Sequence, residues 1–151
     1  MDDAQAQLDG FIDKYTPDIA ALTRRLLARL KTRLPGATIM VYDNYNALAI
    51  GFAPADRVKD VLLSIAIYPR WANLFFMQGR WLDDPHGLLK GDGSIVRHVP
   101  AVTEEMFDDP RIDALIQAAL DQAERPIDPA GEEVLIIKSI SGKQRPRRPS
   151  V

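Results

Sequence analysis

Residues 87–99, GLLKGDGSIVRHV, set three glycines, Gly87, Gly91 and Gly93, ahead of Arg97 and His98. Small residues let successive backbone amides converge on one point. A guanidinium beside them adds charge, so the segment can hold a phosphate or carboxylate. The same composition also describes a turn needing positive φ, followed by a strand whose arginine pairs with an acid. Just upstream, Asp83, Asp84 and His86 offer donors for a hard or borderline cation. Asp84-Pro85-His86-Gly87 is equally an ordinary turn. Glu104, Glu105, Asp108 and Asp109 form a second acidic group. Carboxylates there suit the N-terminal end of a helix, or would ligate iron weakly from a surface ridge.

Nucleophilic catalysis finds little support. There is no cysteine, no G-x-S-x-G elbow, and there are two histidines. Ser94 and His98 stand four apart, on one face of any strand that holds both, a parity common by chance. No catalytic residue is assigned. The aromatic residues Tyr42, Tyr45, Tyr68, Trp71 and Trp81 fall on or beside strand-like segments. Such rings are commonly core or cross-strand partners. On a concave sheet face, Tyr42, Trp71 and Trp81 would wall a small pocket, with Arg97 supplying charge and Gly91 and Gly93 supplying amides.

These residues depend on the elements that carry them. Thr16-Pro17 is a cap followed by a first-position proline, and Ile19, Leu22, Leu26, Leu30 and Leu34 then form one apolar stripe. Pro35-Gly36 ends that helix. A shorter helix over 4–15 precedes it. Strands are predicted at 38–42, 47–52, 61–68, 72–77 and 95–99, with links too short for helical crossovers, so neighbours should run antiparallel. Asp109-Pro110 opens a last helix with Ile112, Leu115, Ile116 and Ala119 on one side, stopped by Pro126. Residues 134–137 can add a short terminal strand.

The whole chain has 151 residues, 46% hydrophobic and 26% charged, which fits one soluble domain able to bury roughly 70% of its unfolded surface. Without cysteine it needs no disulfide and matches a reducing cytoplasm. The acidic start MDDAQAQLDG is unlike a signal peptide, and no apolar run approaches the ~20 residues of a membrane helix. The net charge of −2 conceals an asymmetry. Residues 138–151 carry Lys138, Lys143, Arg145, Arg147 and Arg148 and no acid, leaving 14 basic against 21 acidic side chains elsewhere. That tail reads as solvated and disordered. A phosphate contact to nucleic acid is its alternative use, although no aromatic residue is interleaved for base stacking.

The succession FIDKYTPDIAALTRRLLARL, strand hairpin, AIGFAP, DDPHGLLKGDGSIVRHV and closing helix resembles the YdhG-like family, bacterial α+β domains of unknown function. The resemblance spans about residues 8–125. It is carried most specifically by Gly87, Leu88, Leu89, Gly91, Gly93 and Arg97. The family's lysine after the second glycine is Ser94 here, a neutral donor that weakens the anion reading. One relative in the family is described as a frataxin-like iron chaperone. That resemblance implies iron as an alternative cofactor, held by Asp83, Asp84, Glu104, Glu105, Asp108 and Asp109.

The expectation is therefore an α+β domain over 1–137, with an antiparallel sheet of about five strands, helices on one face, and a basic tail over 138–151. The expected function is a cytoplasmic binding or accessory module taking a small anion or small molecule, with a protein partner possible. The expected site is Arg97, Gly91, Gly93, Trp71, Trp81 and Tyr42.

Overall fold

The computed structural model describes residues 3–150. Helix α1, Asp3–Asp13, leads through Thr16 into α2, Pro17–Arg33. The Thr16 hydroxyl accepts from the Ile19 amide and Pro17 occupies the first turn, as the cap signal predicts. Four strands follow: β1, Thr38–Asp43; β2, Leu48–Ala53; β3, Leu63–Ile67; and β4, Ala72–Phe76. Strand β5, Arg97–Val99, is short. Helix α3, Pro110–Asp121, begins at Asp109, whose carboxylate accepts from the Arg111 amide. Strand β6, Val134–Ile140, closes the fold.

The sheet has six strands in the order β5-β4-β3-β2-β1-β6. The β1 to β5 ladder is antiparallel throughout, as the short links require from β1 to β4, and β5 pairs the same way after the longer 77–96 connection. The all-antiparallel expectation of about five strands fails at β6, which pairs parallel to β1. A parallel neighbour needs a long connection. Here the whole run from β2 through α3 is that connection, so the chain returns to the free edge of β1 in the same direction. Strand β6 also runs three residues past the predicted end, and the register shifts between Val41 and Tyr42 to absorb Lys138.

Alternation along the strands sends one set of side chains to the helices. Ile39, Val41, Leu48, Ile50, Phe52, Leu63, Ile65, Leu74 and Phe76 share one core with Leu8 and Ile12 of α1, Leu26 and Leu30 of α2, and Ile112, Leu115 and Ile116 of α3. All three helices thus bury their stripes against this core, each fully buried Leu or Ile contributing roughly 1.5–3 kcal/mol. Met40, Ala53 and Val61, with Tyr42 and Met77 against them, form a smaller cluster on the opposite face.

The basic tail does not behave as a solvated extension. Lys138 belongs to β6, and the chain beyond it folds back over the β1–β2 turn. Arg147 is 5% exposed. Its Nη2 donates to Asp43 Oδ1 at 3.0 Å and to the Asn44 carbonyl at 2.5 Å, and its guanidinium lies 5.9 Å from the Tyr15 ring centroid. Asp43 is fully buried and also takes Lys14 Nζ on Oδ2 at 2.6 Å. Gln144 donates to the Asp43 carbonyl, and Arg148 to the Lys14 carbonyl. The tail is held because a buried carboxylate far away in sequence needs a second cation.

Candidate functional site

The GLLKGDGSIVRHV segment is self-satisfied. Arg97 Nη1 donates to the Gly93 carbonyl at 2.6 Å and to the Val96 carbonyl at 2.9 Å, which ties the side chain to its own loop. Gly87 and Gly91 have positive φ, +64° and +121°, as a turn requires. Lys90 and His98 exchange backbone hydrogen bonds, and His98 tilts against Phe75 with centroids 5.1 Å apart. At Gly79 a Cβ would meet Arg97 Cβ at 2.5 Å, so the turn Gly79–Trp81 packs directly on β5. The segment is a turn with positive φ at Gly87 and Gly91 that enters a strand, but its arginine bonds backbone carbonyls rather than the acid that the turn reading expects.

The structure brings Arg97, Gly91 and Gly93 together and packs the turn that carries Trp81 beside them, but Trp71 and Tyr42 lie elsewhere. Trp71 stands at the β3–β4 turn, stacked on Tyr68 with centroids 5.3 Å apart. Tyr42 lies on the sheet face opposite the main core, its buried hydroxyl without a hydrogen-bond partner. Trp81 sits at the other end of the sheet from Trp71, in the turn after β4.

The predicted iron ligands are dispersed, with Asp83 and Asp84 in one loop and Glu104, Glu105, Asp108 and Asp109 around another turn, and four of the six are engaged. Glu104 pairs with Arg25 at 3.3 Å, Asp108 with Arg29 at 2.5 Å, and Asp109 with Arg111 at 2.7 Å. Hydrogen bonds from Arg29 and Arg111 hold the Asp108 and Asp109 carboxyls below the usual carboxylate range. Asp84 accepts from the Leu88 and Leu89 amides, both at 2.9 Å, which is the turn reading of that stretch. Asp83 borders a second cavity of about 460 Å³, lined mainly by apolar side chains between the 83–88 loop and α3. Among the described residues, no three His, Asp or Glu side chains are grouped to hold a metal ion.

One predicted residue does line a sizeable cavity. Trp81, 58% exposed, borders about 620 Å³ of space between the β2–β3 connection, the end of β4 and the C-terminal end of α3. The volume falls within the range of small-ligand sites. Phe76, Val61, Leu62 and Ala119 supply apolar wall. Arg57, Lys59 and Arg125 supply positive charge against Asp60 and Glu124.

The electrostatics of this cavity are unbalanced. Arg57 Nε lies 3.4 Å and Arg125 Nε 3.9 Å from the same oxygen, Oδ2 of the mostly buried Asp60. That oxygen accepts no hydrogen bond. Neither guanidinium donates a hydrogen bond among the described residues, so two five-donor forks remain open beside one carboxylate. Gln122 at the end of α3 is already committed to the Gln78 carbonyl at 3.1 Å.

Arg57, Lys59, Asp60 and Arg125 escape the sequence reading, which left the first three in the link between two strands and the last at the end of the helix that Pro126 stops. The signal available was modest: R-x-K-D in one loop, and an arginine just before the Pro126 that follows α3. Comparison of the chain with protein-family models, curated proteins and solved structures found no match, so the YdhG-like likeness rests on the residues quoted for it.

Proposed function

We propose that this domain is a small-ligand binding module and that the cavity bounded by Arg57, Asp60, Trp81 and Arg125 is its site. The observation that carries the reading is the pair of guanidiniums sharing one buried carboxylate oxygen while making no hydrogen bond of their own among the described residues. A planar anion would take bidentate hydrogen bonds from one or both forks, which Asp60 does not supply. The exposed Trp81 ring and the apolar wall suit a ligand with an aromatic or aliphatic body. The ligand class is therefore a small organic carboxylate or phosphate ester with an apolar part. The reading keeps the anion pocket expected from sequence but moves its charge from Arg97 to Arg57 and Arg125.

A thermal-shift panel of aromatic carboxylates and mononucleotides tests it. A member present at about 100 times its Kd adds roughly 2.7 kcal/mol, and for a chain of this size that raises Tm by about 5–11 °C. The shift should vanish in Arg57→Ala/Arg125→Ala and persist in Arg97→Ala. A shift that survives the double variant but is lost in Arg97→Ala would return the site to the glycine turn. No shift from any member at millimolar concentration would end the proposal.

A further inference from the structure

The end of the sheet remote from this cavity gathers exposed aromatic and cationic side chains. Ile140, Asp43, Leu48, Ile67 and Ala72 are successive cross-strand partners on β6, β1, β2, β3 and β4. The β1–β2 turn, the β3–β4 turn and the chain beyond β6 therefore all leave the sheet at one level. The two turns are two strand spacings apart, about 10 Å. Each presents one exposed aromatic ring, Tyr45 and Trp71, both 44% exposed. Tyr68 backs Trp71, and the Arg145 guanidinium lies 5.8 Å from the Tyr45 centroid.

The three segments that leave the sheet here are rich in cations, while exposed Asp13, paired with Arg24, and Asp18 flank the Lys14–Tyr15 stretch that contacts them. Across residues 43–48, 67–72 and 141–150 the one acidic side chain is Asp43, buried and neutralised by Lys14 and Arg147. Arg70, Lys143, Arg145 and Arg148 are exposed, and among the described residues none has a carboxylate within ion-pair distance. Outside these segments the chain holds 14 basic and 20 acidic side chains, so its net charge there is negative.

We propose that this end binds single-stranded nucleic acid, with Tyr45 and Trp71 stacking on unpaired bases and the exposed Arg70, Lys143, Arg145 and Arg148 contacting phosphates. Two exposed rings flanked by cations form a stacking platform for unpaired bases. The tail alone lacks the aromatics such binding requires, and the fold supplies them from two turns distant in sequence.

Anisotropy of fluorescein-labelled dT12 and rU12, titrated with the full chain, tests the proposal and separates DNA from RNA. Four phosphate contacts predict a slope of log K against log salt near −3, about a 60-fold loss between 50 and 200 mM salt. Trp71→Ala should weaken binding about tenfold. Arg145→Gln/Arg148→Gln, which spares the buried Arg147, should make the slope shallower by about 1.4. With Trp81→Phe, the remaining Trp71 emission should be quenched on binding. If Trp71→Ala lowers Tm, Tyr45→Ala carries the same stacking test. No binding of either oligonucleotide at 50 mM salt overturns the proposal. Polyglutamate competing as well as dT12, with both aromatic variants unchanged, also overturns it and marks the patch as a surface for acidic proteins.

Discussion

Arg147→Ala is the most informative single change for the fold. The arginine lies in a proline-containing basic stretch that reads as solvated, where substitutions are ordinarily silent. Here it is buried, donates to Asp43, Asn44 and Tyr45, and closes the charge balance of a carboxylate with no solvent exposure. Breaking a buried pair by removing one partner costs about 3–5 kcal/mol. Two features pull the value to the lower end. Lys14 remains on Asp43 Oδ2, and Arg147 Nε is itself buried without an acceptor, which offsets part of the original gain. The expected loss is about 3 kcal/mol in urea unfolding, or roughly 6–12 °C in Tm. Deleting residues 141–151 should cost at least as much. The pH dependence follows from Asp43. Burial alone would raise its pKa, but hydrogen bonds from Lys14, Gln144 and Arg147 outweigh burial and hold it below the ordinary value. A carboxyl depressed in the folded state contributes stability that is fully present above its unfolded pKa near 3.9 and is lost as pH falls through the lower folded value. Asp43→Asn should lose that acid limb. A loss under 1 kcal/mol in Arg147→Ala, with an unchanged acid limb in Asp43→Asn, would refute the view that the tail is a structural strap.

Gly36→Ala and Gly87→Ala separate strain from collision. Both glycines have positive φ, but a Cβ at Gly36 would sit 1.9 Å from the Asp128 carbonyl oxygen, whereas Gly87 has open space. Urea unfolding should show a loss of about 1–2 kcal/mol for Gly87→Ala and clearly more for Gly36→Ala; equal losses would mean that the 126–131 loop yields freely. Ferrous iron should bind no more tightly than magnesium, because the acidic cluster is engaged by Arg25, Arg29 and Arg111. A ferrous-selective affinity in calorimetry, lost in Asp108→Asn, would restore the iron reading.

The parts of the fold that sequence makes legible are the local ones. Thr16-Pro17 and Asp109-Pro110 announce their helices because capping is satisfied within three residues. Strands β1 to β4 announce themselves because short links leave only antiparallel neighbours. Strand β6 is harder to place, since its partner lies about a hundred residues earlier and the direction of pairing depends on the path between them. The glycine segment shows the opposite difficulty. Its composition satisfies both an anion nest and a closed turn, and what decides is whether Arg97 finds the carbonyls of Gly93 and Val96.

Charge is least legible where it is paired over distance. The same run of cations that reads as a solvated tail contains one arginine that is buried and others that are open to solvent. Position 147 differs from 145 and 148 only in what the fold sets opposite it, namely the Asp43 carboxylate. Burying Arg147 fixes the path of the strap, and that path lays Arg145 over Tyr45 and leaves Arg148 beside Lys14. The strap and the nucleic-acid patch therefore make opposed demands on adjacent arginines. Arg147→Ala should lower stability and thereby loosen oligonucleotide binding, whereas Arg145→Gln/Arg148→Gln should lower binding at unchanged Tm. Loss of Tm in the second variant to the same extent as in the first would show that the three arginines act as one structural unit, with none left over for a ligand.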